Sequence, residues 1–147
     1  MALPPGSSFN SCIDNMYKLI SLSLAIAFAI VGCLFLIAPG GVLGFFNRLS
    51  GAMGFERSAD QGPGLYVTLA VAYMYVVTVL AFFMYRHPEN GVFPLLLVHA
   101  KSASALVSLW FFAFHRPYLV LLVNGVVDGA IAAGVFLLRR NAGRDRK

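Results

Sequence analysis

The sequence predicts an all-α fold, an integral membrane four-helix bundle with one interfacial amphipathic helix. Of its 147 residues, 59% are hydrophobic and 12% are charged, whereas a soluble domain is about half apolar and about a quarter charged. Four apolar stretches each approach the ~20 residues that a helix needs to cross the hydrocarbon core of a bilayer. The segment between the first two has helical periodicity. Residues 1–147 are therefore predicted to form one transmembrane domain.

Four predicted spans follow from these stretches: Tyr17–Ala38, Gly64–Tyr85, Val92–Phe114 and Tyr118–Leu138. Proline, glycine and polar residues separate them, and such residues stop helices. Because the last two connections are short, the second, third and fourth helices are predicted to be antiparallel neighbours. The two cysteines of the chain lie about a membrane thickness apart, so no disulfide is predicted, and without histidines near them they predict no metal site.

The connection after the first span is predicted to be an amphipathic helix. Its apolar residues recur at helical spacing and form one face: they are Val42, Phe45, Phe46, Leu49 and Met53. Three polar residues point elsewhere, namely Asn47, Arg48 and Ser50. Such a helix lies in the headgroup plane of a bilayer with its apolar face inward. The alternative is a lid over a cavity in the bundle.

Two charged residues near the middle of the third and fourth spans are the sharpest feature of the sequence. Lys101 lies 15 residues before Arg116 and Asp128 lies 12 residues after it, so at ~1.5 Å per residue their depths agree within about 5 Å. An antiparallel hairpin is therefore predicted to pair Lys101 with Asp128. By the same count, Ser108 and Asn124 lie at one level and are predicted to form a hydrogen bond.

Further polar and small residues accompany these pairs. Ser104 shares the inward stripe of the third span. On the fourth span, Gly125 and Gly129 form a small-x-x-x-small face, which lets a neighbouring backbone approach closely. On the second span, Tyr73 and Tyr75 lie at mid-membrane depth, where their hydroxyl groups need partners. These residues are predicted to support the charged pair or the packing around it.

Two interpretations of the Lys101–Asp128 pair remain open. In the structural one, each charge offsets the desolvation of the other and fixes the register of the hairpin. In the functional one, a member of the pair exchanges a proton or binds an anionic or quinone-like headgroup, as intramembrane ionisable groups often do. One acid and one base at matched depth favour the structural interpretation, since a transport path usually has polar groups along several helices.

His99, within the third span, raises the question of a haem site. A b-type haem held within one chain needs a second intramembrane ligand, but His87 and His115 both lie in connections. The sequence therefore favours a histidine whose hydrogen bonds are satisfied. Haem ligation stays open only if a partner subunit supplies the other ligand.

The distribution of positive charge predicts the orientation. Basic residues concentrate in the N-terminal tail, the second connection and the C-terminal tail at 139–147, whereas the opposite side has only Arg48, Arg57 and Arg116. By the positive-inside rule, both termini face the cytoplasm. The formal net charge is +5. It is explained by basic residues next to the spans, where lysine and arginine set topology and meet anionic headgroups. No nucleic-acid partner is predicted.

The order of segments along the chain carries a family resemblance. The segments are a first helix ending in Ala38-Pro39-Gly40, an amphipathic Phe45-Phe46-Asn47 segment, a second helix led by Gly62 and Gly64, and a tight hairpin. This order resembles the small DoxX-like four-helix membrane proteins, some of which are linked to quinone-dependent oxidation complexes. The resemblance implies a membrane accessory role and transfers no catalytic residue.

The function expected from the sequence is that of a non-catalytic accessory or structural subunit of a larger membrane complex. No motif of soluble-enzyme chemistry occurs, and a four-helix bundle encloses little cavity. The expected partners are the lipid bilayer and other membrane subunits or further copies of the chain. The alternative is a quinone- or proton-handling protein that uses Lys101 and Asp128. A quinone or haem cofactor belongs to that alternative alone.

Overall fold

Five α-helices make up the described part of the chain. The computed structural model describes residues 7–58 and 64–144, with side chains for 15–58 and 66–140. The helices are α1 (Ser7–Ile37), α2 (Pro39–Met53), α3 (Gly64–Arg86), α4 (Val92–Phe114) and α5 (Leu119–Arg144). All but α2 contain a segment that is long and apolar enough to cross a membrane. The predicted all-α class and the four long apolar helices are thus confirmed.

The long helices depart from the predicted spans mainly towards the ends of the chain. Helices α3 and α4 keep the predicted bounds within one residue, but α1 already begins at Ser7 and α5 continues to Arg144. The apolar windows are shorter, starting at Asn15 in α1 and ending at Arg140 in α5. The predicted basic tail is therefore helical as far as Arg144, and its residues 145–147 lie outside the described residues.

Backbone chemistry sets both ends of α2. Ala38 leaves the helical region with φ −136° and ψ 57°, which separates α1 from α2. Pro39 then occupies the first turn, where its missing N–H has no intrahelical acceptor to lose. Gly54 ends α2 with φ +76°, in the left-handed region that glycine adopts without strain. Its backbone N–H donates to the Ser50 carbonyl oxygen and closes the helix.

The four long helices pack as two pairs. Helix α1 lies along α3 and helix α4 lies along α5, and both contacts are far more extensive than the one between α3 and α4. Helices α3 and α4 are neighbours, as predicted, but the main partner of α3 is α1. Gly32 allows that close approach, since a Cβ there would lie 3.1 Å from Met74 Cβ. The apolar core includes Phe28, Val77, Ala81, Met84, Leu97 and Val135.

Burial is inverted relative to a water-soluble bundle. Among the described side chains, the largest fully buried one is that of Lys101, which is 1% exposed. Leu19, Leu106 and Phe114 lie on the outer surface and are 66%, 70% and 69% exposed. In none of the four apolar windows is more than 28% of the segment buried. The outer surface of the long helices is therefore mainly apolar, and the interior holds a charged pair.

Helix α2 packs across one end of the bundle, against α5 and α1. Its inner side carries Ser50, which is 2% exposed, so this serine does not point away from the bundle as a polar-face residue would. Phe45, Leu49 and Met53 form an exposed apolar edge. The predicted apolar face is therefore divided, because part of α2 packs on the bundle while this edge faces outward.

Candidate functional site

The two charges of α4 and α5 form a direct ion pair. Lys101 Nζ lies 2.7 Å from Asp128 Oδ1, which is the length of a charge-assisted hydrogen bond. The two side chains are 1% and 4% exposed. The contact predicted from matched depth is present, and the antiparallel packing of α4 on α5 produces it.

Two aromatic rings complete the surroundings of the lysine. Lys101 Nζ lies 4.6 Å from the centroid of the Phe28 ring and 5.0 Å from that of the Tyr73 ring, both within cation–π range. Phe28 belongs to α1 and Tyr73 to α3, so all four long helices meet at this ammonium group. The Tyr73 hydroxyl donates to the Ala100 carbonyl oxygen at 3.0 Å, which holds the ring in place. Tyr73 thus has the hydroxyl partner that the sequence required.

A second polar group lies beside the ion pair, between the same two helices. Asn124 donates from Nδ2 to Ser108 Oγ at 2.8 Å and to Ser104 Oγ at 3.2 Å. The predicted Ser108–Asn124 contact is present, and Ser104 joins it. Together with Lys101 and Asp128, these residues form a continuous polar seam between α4 and α5. The seam runs from the middle of the bundle towards the end that α2 covers.

Close packing of α4 on α5 holds the polar seam together. A Cβ at Gly125 would lie 2.7 and 2.8 Å from side-chain carbons of Leu109 and 3.4 Å from the Ala105 carbonyl oxygen. A Cβ at Gly129 would meet Ala105 Cβ at 3.8 Å, an ordinary contact. Of the two predicted packing glycines, Gly125 is therefore the one that the close approach requires.

One oxygen of the ion pair has no hydrogen-bond donor among the described residues. Asp128 Oδ2 is buried, and no donor among the described residues reaches it. An unmade hydrogen bond of this kind costs about 1–3 kcal/mol in a core. A carboxylate oxygen accepts hydrogen bonds, so a proton, a water or a hydroxyl group is chemically suited to this atom. An anionic headgroup is not, because it would repel the carboxylate.

Two predicted supporting residues lie away from the polar seam. His99 is exposed on the outer surface of α4 and, within the described part of the chain, has no hydrogen bond. The satisfied histidine expected from the sequence therefore has no partner within the described residues and stays a prediction. Tyr75 is 70% exposed on α3 and does not share the role of Tyr73. Each residue lies two positions from an inward side chain, and two positions turn a helix by about 200°, so the spacing itself indicates an outward position.

A groove of about 510 Å³ runs along the outer surface where α4 and α5 meet. It is lined mainly by small side chains, which include Ser102, Ala105, Gly125, Gly129, Ala132 and Ala133. His99 lies one turn from Ser102 on α4 and therefore next to the groove. This α4–α5 groove presents a small-residue surface with polar groups at its margin.

Sequence reasoning missed the contribution of Phe28 to the site. Phe28 lies in a span that is apolar on all sides, where a phenylalanine attracts no notice. The usable signal is its helical spacing from Ser21 and Ala25, which α1 buries on the same face. Among the described residues, no three His, Cys, Asp or Glu side chains come together as a metal site.

Comparison with known proteins supplies no relative from which a role for these residues could be transferred. No protein-family model, no curated protein and no solved structure matches the chain. The resemblance to DoxX-like proteins accordingly stays a prediction.

Proposed function

We propose that this chain is a multi-pass membrane protein that acts as a non-catalytic accessory subunit and binds another membrane protein along the α4–α5 groove. Inverted burial supports the membrane location, since leucines outside and a lysine inside suit hydrocarbon as the surrounding solvent. In water, apolar surface on four helices would far exceed the few hundred Å² of a monomer's largest patch. Helix α2 then lies at the membrane interface with its exposed apolar edge towards the lipid.

In the proposed orientation, both termini lie in the cytoplasm. Basic residues at the end of α3, at the end of α5 and in the tail outnumber those at the α2 end, as the positive-inside rule requires of the cytoplasmic side. A Gly143→Cys variant of a cysteine-free chain tests this. In intact cells it should react with a membrane-permeant maleimide and resist an impermeant one. Reaction with the impermeant reagent would show the reverse orientation.

The exposed position of His99 carries the proposed accessory role. At ~1.5 Å per residue, His99 lies about 10 Å from Val92 along α4, inside the hydrocarbon. An imidazole facing lipid has no water to satisfy it, so its burial there is costly without a partner. The adjacent groove offers the small residues on which transmembrane helices approach closely. A partner helix in the groove would bring a polar side chain to His99 and Ser102.

Purification in gentle detergent followed by mass spectrometry tests the association. The chain should retain a stoichiometric membrane partner, and Ala133→Leu, which fills the groove, should release it. Ala103→Leu is the matched control, because it adds the same volume to the exposed surface of α4 outside the groove. It should leave the partner bound. A strictly monomeric wild-type chain, or a partner that survives Ala133→Leu, contradicts the proposal.

Proton or quinone handling is the second candidate function, and Asp128 Oδ2 is the observation that favours it. A buried carboxylate oxygen that no donor in the described part of the chain reaches suits a proton or the hydroxyl of a quinol. The surroundings of Lys101 weigh against this second function, because two aromatic rings and the Asp128 carboxylate already contact the ammonium group. A quinone or haem cofactor belongs to this candidate alone.

Proteoliposomes that contain a pH-sensitive dye test the second candidate. Proton handling requires pH to equilibrate faster than in protein-free vesicles and to slow again in a folded Asp128→Asn variant. Ser102→Ala, which alters a polar residue outside the seam, is the control. Equal rates with and without the wild-type chain would remove proton transfer from consideration.

A further inference from the structure

Arg48 lies beside the exposed apolar edge of α2. Phe45, Leu49 and Met53 on this edge are 63%, 40% and 56% exposed. With about 100° between successive residues, Arg48 falls between Phe45 and the side of α2 that carries Gly51. An edge inserted into hydrocarbon therefore holds Arg48 at the level of the lipid headgroups.

Arg57 is held against the same side of α2. Its Nη2 atom lies 3.0 Å from the position of a Cβ at Gly51. Asn47 fixes the segment that carries it: Asn47 Nδ2 donates to the Ser58 carbonyl oxygen at 3.0 Å, and Asn47 Oδ1 accepts from the Ser58 N–H at 2.8 Å. Because Arg48 and Gly51 are one turn apart, with Cβ positions about 5–6 Å apart, the Arg57 guanidinium shares the side of α2 on which Arg48 lies.

The two guanidinium groups have no acidic partner among the described residues. Arg116, at the same end of the bundle, differs: its Nη1 lies 3.1 Å from Glu56 Oε2, and this hydrogen bond raises the pKa of the Arg116 guanidinium. Arg48 and Arg57 are exposed and form no such ion pair. Within the described residues, the α2 end therefore presents two positive charges without an acidic partner, Arg48 beside the apolar edge and Arg57 on the adjoining Gly51 side of α2.

We propose that Arg48 and Arg57 bind the phosphate of an anionic phospholipid headgroup while the apolar edge of α2 contacts its acyl chains, an inference that rests on the proposed membrane location. Guanidinium groups match phosphate oxygens in a bidentate geometry. A zwitterionic lipid carries its own cation beside the phosphate, so the arginines attract it less strongly. The site thus selects for lipids with net negative charge.

Quenching by brominated lipids measures this selection at α2. The chain has one tryptophan, so Trp110→Phe with Phe45→Trp places a single reporter on the apolar edge. The variant is reconstituted into vesicles in which brominated phosphatidylglycerol or brominated phosphatidylcholine replaces the unlabelled lipid. Phosphatidylglycerol should be preferred by about fivefold for each arginine and about thirtyfold for both.

Three substitutions test which groups cause the preference. Arg48→Gln with Arg57→Gln should abolish it. Gly51→Leu should lower the preference for phosphatidylglycerol about fivefold without changing the net charge, because the leucine displaces the Arg57 guanidinium. Glu56→Gln with Arg116→Gln keeps the net charge and should leave the preference intact.

Equal quenching by the two lipids in vesicles that contain the chain would overturn the lipid site and leave the membrane location standing. A preference unchanged in the Arg48→Gln, Arg57→Gln variant would also overturn it. So would loss of the preference in millimolar inorganic phosphate, since the arginines would then bind any soluble phosphate. Failure of the chain to enter vesicles would defeat the membrane location and the lipid site together.

Discussion

Lys101 and Asp128 meet across the contact of α4 with α5, with 2.7 Å between Nζ and Oδ1, and the rings of Phe28 and Tyr73 close over the ammonium. Neither charge reaches the surface of the bundle, because both side chains are almost fully buried. Each therefore depends on the other for compensation of its charge. We therefore expect the pair to fix the register of the α4–α5 hairpin and to tie it to the α1–α3 pair.

Removing one charge should destabilise the bundle more than removing both. Lys101→Met or Asp128→Leu leaves an uncompensated buried charge, which we expect to cost about 3 kcal/mol or more. The double variant should recover most of that loss, because two apolar side chains of similar volume need no compensation. Unfolding in sodium dodecyl sulfate, followed by circular dichroism, measures all three. Additive losses in the double variant would contradict the pairing.

An added methyl group at Gly125 should destabilise the bundle. Gly125→Ala forces the Leu109 side chain away, since the added Cβ would lie 2.7 and 2.8 Å from its carbons, and we expect a loss of about 1–3 kcal/mol of unfolding free energy. Gly134→Ala in the same helix is the control, since a Cβ there meets nothing within 4 Å. That change should be neutral or stabilise by up to about 1 kcal/mol. Leu109→Ala combined with Gly125→Ala should restore part of the loss, whereas equal effects at the two glycines would refute the close approach.

Asn124 should contribute to stability through its two hydrogen bonds. Asn124→Ala removes the bonds to Ser104 and Ser108, and at about 0.6 kcal/mol for an interhelical bond in a membrane the loss should be about 1 kcal/mol. Ser102→Ala removes a hydroxyl that forms no hydrogen bond within the described residues and should change little. The same unfolding assay compares them. A larger effect at Ser102 than at Asn124 would show that the polar seam is not the stabilising feature.

Asn47 should protect the chain at Arg57 from proteolysis. Asn47→Ala removes both hydrogen bonds to the Ser58 backbone, which should allow residues 55–58 to open more often. Trypsin should then cleave after Arg57 on the order of tenfold faster. Asn90→Ala, which removes the corresponding bond from the Val92 N–H to Asn90 Oδ1, is the control in the other connection. Unchanged cleavage in the Asn47→Ala variant would show that the two hydrogen bonds of Asn47 do not protect this segment.

Polar residues made the pairing of α4 with α5 predictable from the sequence. The packing of α1 on α3, which involves few polar residues, was not predictable. Lys101, Ser108, Asn124 and Asp128 each have one low-energy position in an apolar bundle, so counting their depth from the turn was enough to pair them. In α1 the spacing of Ser21, Ala25 and Phe28 indicates an inward side, but nothing in the sequence indicates that α3 packs against it. The extensive contact of α1 with α3 and the position of Phe28 at the ion pair therefore needed the structure.

The outward positions of His99 and Tyr75 followed from information that the sequence did contain. Each lies two residues from an inward side chain, Lys101 or Tyr73, and so faces the opposite side of its helix. The division of the apolar face of α2 could not be predicted from the sequence, because the packing of Ser50 on the bundle depends on where α5 and α1 end.

The most direct test of the account is whether the bundle binds its partner without the charged pair. The Lys101→Met, Asp128→Leu double variant and the wild-type chain are purified in gentle detergent from cells that lack the native copy, and co-purifying membrane proteins are quantified by mass spectrometry. If the pair is structural and the α4–α5 groove carries the function, the folded double variant retains the same partner at the same stoichiometry. A double variant that folds with native helicity and stability yet loses the partner would contradict the account.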